Sequence, residues 1–541
     1  MGLLSGAAAR LARALAVPRR VWTDAAIDRA LALGVAAATL ALDLFKLPGT
    51  SLFSDEAFSV GLVSNPWPVF WDHVRTLEAN MVLYHLLLRG WLGLTGLVGL
   101  VPDEVVVRAP SVAFGVIGAV VVFTLGVRFF GRIAGAIGAG LFAVNRLELE
   151  AAREARSYSL EVLLICVGWY ALFAALTAER RRRLWWFAYG LAMTLALYAH
   201  LFSALVLAAQ LVAFGAVLAT PNDWRDQARR SLREMAVSVV AICAALSPMV
   251  VYAVGHGPTN TWIEPATPVG MARLLWNIAG HDVVYGFLLG AAVVTAAVVT
   301  IRAVKGRAVV HQGLGPGRNL ALACWLLVPV VLSYAATQPR FNLHLFSWGY
   351  LVVIVPALCL LAGIGIAAVP WGLARHAAAV SLIAAAALAT PVYSSSLPTQ
   401  DFRTAARWMA ERYQAGDGLV SASWSSSLAM DYYAGIGAIP SALVACAPSA
   451  WSWREGGERP LDQRAVAAYA ATHARVFLVS SLQGFERLEN VQQVRVTEGQ
   501  FDGRYVLVAD VIVPSQLGGI SVRLYETEGS TERTAVQRRS C

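Results

Sequence analysis

Two adjacent acids, Asp55-Glu56, follow closely on the first long apolar run of the chain, within Ser51-Leu52-Phe53-Ser54-Asp55-Glu56-Ala57-Phe58-Ser59. Carboxylates at a membrane surface are costly when unpaired and easily titrated, so their presence needs a reason. One reason is a helix start, with Ser54 as the cap and both acids in the first turn. The other is general-base chemistry, in which a carboxylate takes the proton of an acceptor hydroxyl. More residues of reactive type recur further on: Glu78, the stretch from Glu148 through Glu154 to Arg156, Tyr158, His200, His256, Glu264, Arg340 and His344. Each has a plain account of its own. His200 reads as an interface histidine, Arg340 as a snorkelling arginine, and Glu154, Arg156 and Tyr158 as an ion-pair cluster at a helix start. Together, carboxylates facing basic groups suit the transfer of a group from a lipid phosphate to a hydroxyl. Arginines would neutralise the departing phosphate, best through bidentate contacts.

The elements that position these residues are membrane helices. The 541 residues are 57% hydrophobic and only 14% charged, too apolar for a soluble protein of this length. Apolar runs of about 18 residues or more recur through the first three quarters. The net charge of +9 could suggest nucleic acid. However, the arginines cluster between apolar runs, as cytoplasmic loop charges do, and no nucleic-acid partner is expected. Residues 1–24 read as a basic cytoplasmic amphipathic segment, and the first span covers about 25–45. A first outer loop over 48–105 holds two amphipathic pieces, 67–77 and 83–97, too polar or interrupted to span. Ten further spans are predicted at 111–127, 134–144, 159–178, 185–198, 202–218, 237–254, 283–301, 320–336, 349–368 and 376–393. This threading puts Arg128 and Arg132, the run Arg180 to Arg183, the cluster Arg225 to Arg233, Arg302 to Arg318 and Arg375 all on the cytoplasmic side. The reactive residues then share the outer face.

The fold class expected is a polytopic α-helical membrane protein of about eleven spans, over 25–396. A small extracytoplasmic α/β domain follows at 397–528 and a disordered tail at 529–541. In the α/β part, 402–414 reads as a helix, Gly416-Asp417-Gly418 as a turn, and 419–422, 475–480, 505–513 and 520–525 as strands. Cys166, Cys243, Cys324 and Cys359 fall inside apolar runs as small hydrophobes. Cys446 and Cys541 lie in the polar tail, where they could pair. No Cys/His metal spacing occurs.

The chain resembles the GT-C glycosyltransferases, in the branch containing bacterial protein O-mannosyltransferases and the lipid A aminoarabinose transferase. Five motifs carry the resemblance. The first is Asp55-Glu56. The second is Asn80-Met81-Val82-Leu83-Tyr84-His85-Leu86-Leu87-Leu88, where the family reads His-Pro-Pro-Leu-Tyr-Tyr-Leu-Leu-Leu. The third is Arg108-Ala109-Pro110-Ser111, the fourth Glu154-Ala155-Arg156-Ser157-Tyr158, and the fifth Leu197-Tyr198-Ala199-His200. The tail opening Phe402-Arg403-Thr404-Ala405-Ala406-Arg407-Trp408 is also similar. The resemblance implies Asp55 as the catalytic carboxylate, with Glu56 orienting the acceptor or tuning Asp55. It implies Arg156 and Tyr158 near the donor phosphate, and Glu78, Asn80, Tyr84, Glu154 and His200 in acceptor or support roles. Two motifs depart from the family. The His-Pro-Pro is Asn80-Met81-Val82, and a late Pro-Arg-Tyr-Leu stands as Trp348-Gly349-Tyr350-Leu351, leaving Arg340 or His344 to supply the missing charge.

The activity expected is inverting transfer of a sugar from a polyprenyl-phosphate donor to an extracytoplasmic hydroxyl. Mannose is the first choice of sugar, and arabinose or another comes next. The acceptor is a glycolipid, polysaccharide or protein. The partners besides the donor are membrane lipid, and the setting is a bacterial plasma membrane. High Ala, Arg and Gly usage points to a GC-rich source such as an actinobacterium. A divalent metal bridging carboxylate and phosphate is compatible with these residues but not demanded by them. Two rivals are a lipid or sugar transporter and a non-catalytic membrane assembly protein. A transporter would carry internal repeats and broken mid-membrane helices, whereas the acids here lie at the outer surface.

Overall fold

The computed structural model describes residues 24–76, 79–178, 180–255, 263–305, 315–341, 343–394, 397–482 and 495–527. Most of the basic N-terminal segment, Glu78, His256, Cys541 and the tail over 529–541 lie outside the described residues.

The first apolar run forms α1, Asp24–Leu44. The outer segment folds into three helices, α2 (Ser54–Ser64), α3 (Trp67–Thr76) and α4 (Val82–Leu97). Next come α5 (Glu104–Phe130), α6 (Arg132–Ala143) and the short α7 (Arg146–Ala152). The chain continues through α8 (Tyr158–Thr177), α9 (Arg182–Ala199), α10 (Ser203–Ala219) and α11 (Arg225–Arg230). Helices α12 (Leu232–Gly255), α13 (Pro268–Ile278), α14 (Val283–Val304) and α15 (Pro316–Ala336) follow. A 3-10 turn, Tyr350–Ile354, leads into α16 (Val355–Ala367), and α17 (Gly372–Ser394) ends the helical part.

Each of the eleven expected spans coincides with one of these helices. Among the described residues, eight helical segments are long and apolar enough to cross a bilayer, the 3-10 turn and α16 counting as one. Helices α6 and α10 are shorter apolar helices, and α9 opens on Arg182 and Arg183. The protein is a multi-pass membrane protein. Its most buried spans are the 3-10 turn with α16 and helix α8, and small residues on α6 let its neighbours approach closely, as they do when lipid supplies no hydrophobic drive between helices. A β-carbon on Gly135 would lie 2.5 Å from the Val127 nitrogen of α5.

The C-terminal part forms α18 (Phe402–Arg412), β1 (Gly418–Ser421), α19 (Trp424–Gly435), α20 (Ser441–Val444), a hairpin of β2 (Trp451–Ser452) and β3 (Gly457–Glu458), α21 (Gln463–Ala470), β4 (Arg475–Ser481), β5 (Tyr505–Ser515) and β6 (Gly518–Thr527). All four strands expected from the sequence are present, and they make one sheet of order β1-β4-β6-β5. The β1–β4 pair is parallel and the others are antiparallel. One face packs on α21 through Val420, Val476, Leu478 and Phe501. The other packs on α18 and α19, and this core runs on without a break into Leu52, Phe58, Leu62 and Phe70 of the outer segment. The sheet domain and the segment between α1 and α5 are therefore one folded body. Cys446 is in a disulfide, whereas Cys166, Cys243, Cys324 and Cys359 are free thiols.

Candidate active site

Helix α2 begins one residue before the acid pair and sends the two carboxylates in opposite directions. Glu56 is fully buried. Its Oε1 accepts from Arg108 Nε at 2.7 Å and from the Ala155 amide at 2.7 Å. Its Oε2 accepts from Arg108 Nη2 at 2.6 Å and from the Phe53 amide at 3.2 Å. The helix-start reading is corrected at the cap, which is Phe53 and not Ser54, and holds for Glu56, whose side chain takes the Phe53 amide. Arg108, 2% exposed near the start of α5, completes its donors on the carbonyls of Thr50 (2.8 Å) and Ser51 (2.9 Å). A buried ion pair survives only when its lone pairs and protons are matched in this way. Asp55 points the other way. Its side chain is 43% exposed and faces Arg156 loosely, Oδ2 to Nη2 at 3.9 Å. Arg156 also reaches the Asp55 carbonyl and the Ser59 hydroxyl, each at 3.4 Å.

The remaining motifs are tied to this pair by hydrogen bonds. Tyr84 donates to the Ser111 hydroxyl at 3.0 Å, and Ser111 donates to the Arg156 carbonyl at 3.3 Å. Asn80 accepts the Leu201 amide at 2.8 Å and donates from Nδ2 to His200 Nε2 at 3.1 Å. His200 Nδ1 accepts the Phe202 amide at 3.2 Å and lies 3.9 Å from Glu161 Oε2. Burial, with the Arg156 charge adding to it, pushes the His200 imidazole down to about 3, so the ring is neutral. The Tyr158 ring lies 5.7 Å from His200. Glu154, in the loop between α7 and α8, is held well above the usual carboxylate range by burial and then by the Glu56 charge. The five motifs, spread over 146 positions from Asp55 to His200 in the chain, meet at one place.

Arg340 and His344 are placed differently. Arg340 is exposed, its guanidinium 6.0 Å from the neighbouring Phe341 ring. His344 Nδ1 lies 2.5 Å from the Ile263 carbonyl. No contact described for either residue reaches the cluster. The residue that does reach it from this loop is Tyr350, whose ring is 5.1 Å from His200 and 6.1 Å from Tyr158. Tyr350 and Arg108 were missed as site residues. A lone arginine opening an apolar span was the signal for Arg108. For Tyr350 the signal was its place in the late motif Trp348-Gly349-Tyr350-Leu351, where the chain keeps the tyrosine and lacks the arginine.

Two further features frame the site. An apolar cavity of about 390 Å³ lies between the outer-loop helices and α9 and α12. Trp71, Val82, Leu86, Tyr198, Met249 and Tyr252 line it, and Val82 and Tyr198 are two residues from the bonded pair Asn80 and His200. On another side, the sheet domain docks on α2. Gln400 Oε1 accepts the Ser54 amide at 2.9 Å, and Tyr433 holds Ser51 and Leu52 at 3.1 and 3.2 Å. Trp451 and Trp453 of the hairpin pack on Phe58 at 5.6 and 5.5 Å. A β-carbon on Gly61 would lie 2.5 Å from the Trp453 ring, so this helix position has to be small. Among the described residues no three His, Cys, Asp or Glu side chains are grouped to hold a metal.

Comparison with known proteins places this arrangement. A structure of ArnT from Cupriavidus metallidurans in the apo state is 14% identical, with a TM-score of 0.56 over 92% of this chain and 97% of that one. The fold is that of the GT-C glycosyltransferases. The same enzyme bound to undecaprenyl phosphate aligns with a TM-score of 0.52 at 14% identity over the same shares of the chains. The oligosaccharyltransferase AglB from Archaeoglobus fulgidus, in complex with an inhibitory peptide and a dolichol-phosphate, is 12% identical. It gives a TM-score of 0.55 over 95% of this chain and 76% of that one. Within the GT-C fold, residues 91–252 also match the dolichyl-phosphate-mannose-protein mannosyltransferase family. That stretch contains Arg108, Arg156 and His200. A search of curated protein sequences finds no significant match.

Proposed function

We propose that this protein transfers a sugar, with inversion, from a polyprenyl-phosphate donor to a hydroxyl on an extracytoplasmic acceptor. The observation that carries the reading is the split of the acid pair. Glu56 is consumed by structure, and Asp55 stands solvent-accessible beside Arg156 where five motifs converge. In this reading Asp55 takes the proton of the acceptor hydroxyl as its oxygen attacks the anomeric carbon. The bond from that carbon to the phosphate oxygen breaks, and polyprenyl phosphate leaves. Arg156 and Tyr158 meet the phosphate charge as it develops. Neutral His200 and Asn80 fix the wall beside it, and Glu154 and Tyr84 support the loop that carries Arg156. The apolar cavity next to that wall accommodates the start of the lipid chain.

Lipid phosphates bound in two structures of the same fold support this donor class. The family matched over 91–252 makes mannose the first sugar to test, with arabinose next. The acceptor is a glycolipid, polysaccharide or protein. The N-terminus is assigned to the cytoplasm and the sheet domain to the outside of a bacterial plasma membrane.

Purified protein in detergent would be given radiolabelled polyprenyl-phosphate mannose and a membrane glycolipid extract, wild type beside Asp55→Asn. Transfer is expected to fall by about 10²–10⁴-fold in the variant, with the fold unchanged by circular dichroism. Equal transfer by both proteins would remove Asp55 as the base. Absence of transfer across a panel of lipid-linked sugars would overturn the reading.

A further inference from the structure

Away from the transfer site, three elements enclose a second pair of acids. Asp43, one residue from the end of α1, is 0% exposed, and Glu148 of α7 is 1% exposed. Both face Gly115 of α5. A β-carbon built there would lie 3.3 Å from Asp43 Oδ2, 3.5 Å from Glu148 Oε1 and 2.9 Å from the β-carbon of Ala152. Among the described residues, none of the four carboxylate oxygens has a hydrogen-bond partner. Two ionised carboxylates without hydrogen-bond partners are strongly disfavoured in one dry site.

The other titratable groups facing Glu148 are thiols, Cys166 of α8 and Cys359 of α16. Arg153, just after α7, supplies one positive charge toward Asp43. On α7 itself Glu150 is bonded to Arg146 at 2.9 Å. One guanidinium balances one carboxylate, which leaves the other to be neutralised by a proton.

We propose that Asp43 and Glu148 are a proton-binding pair, in which Glu148 carries the proton, Arg153 balances Asp43, and the pair so held locks the end of α1 against α7. Burial, with the Asp43 charge adding to it, raises the Glu148 carboxyl well above its ordinary range. A carboxyl raised by folding gives stability that is fully present below the ordinary carboxylate pKa. That stability is lost as the pH climbs towards the folded-state value. Helix α7 leads through Arg153 into Glu154, Ala155 and Arg156, so Glu148 is a positioning residue for the segment that faces Asp55. Only this last link rests on the transfer reading.

Glu148→Gln keeps the shape and needs no proton. Infrared spectra of the full-length protein in detergent at neutral pH should show protonated-carboxyl carbonyl absorption that loses one component in the variant, Glu154 supplying part of what remains. The wild-type Tm should fall by about 2–4 °C or more from about pH 5 to about pH 9 while that of the variant stays flat. Identical infrared spectra, or parallel Tm profiles, would overturn the proposal. Asp43→Asn guards against a folding failure of the first variant: it leaves Glu148 its buried proton, so the band should stay while the alkaline fall in Tm shrinks, and an unchanged fall would overturn the pairing. With an active transfer assay, the alkaline fall in kcat should weaken in Glu148→Gln. If no transfer is found with any donor, the infrared and Tm results still decide the pair.

Discussion

Glu56 and Glu148 are equally hidden from solvent and are held by opposite chemistry. Glu56 receives four hydrogen bonds, two of them from Arg108, and so every lone pair it buries has a partner. Glu148 receives none among the described residues and faces a second acid. Burial alone does not say whether an acid is ionised; its partners do. The matched site is a rigid strut between α2, α5 and the loop before α8. The unmatched one stays closed only while it holds a proton.

Three changes would break or sharpen this contrast. Glu56→Ala is the most damaging, because it leaves the Arg108 charge buried with no counter-ion. A loss of about 3–5 kcal/mol is expected, read as a lower midpoint in detergent denaturation. A loss under about 1 kcal/mol would mean that Arg108 is hydrated and the pair is not structural. Gly115→Ala presses on the unmatched pair, where the new methyl meets Ala152 and both carboxyls. It should cost about 1–3 kcal/mol, and the penalty should grow with pH as the proton is lost. A penalty independent of pH would separate the steric problem from the titration. Arg340→Ala should matter least. Its exposed position predicts a stability change within about 0.5 kcal/mol, with a rise of a few-fold in donor KM if it supplies the charge missing from the late motif. An unchanged donor KM would retire that role.

Much of this architecture was readable in advance. All eleven expected spans have a helix, and the runs 419–422, 475–480, 505–513 and 520–525 are the four strands of the main sheet. The spans rest on long apolar runs and the strands on short runs rich in β-branched and aromatic residues, continuous and buried in β1 and β4. The gathering of Asp55, Arg156 and His200 was readable from the order of motifs. Which of two adjacent acids would be buried was not, because that depends on Arg108 reaching back across 52 positions. The β2–β3 hairpin is two residues a side, too short for a periodic pattern. Asp43 and Glu148 stand 105 positions apart in apolar surroundings, and only a glycine on a third helix brings them face to face.

The docking of the sheet domain on α2 has a consequence for the order of synthesis. The Ser54 amide is bonded to Gln400, 346 positions later, and Ser51 to Tyr433, 382 positions later. Contacts between such distant segments form late, after the intervening chain exists. The membrane helices can therefore be inserted in sequence while the helix carrying Asp55 still lacks its partners. Only a chain translated to its last domain acquires a finished site, so a truncated product would occupy the membrane without being competent there.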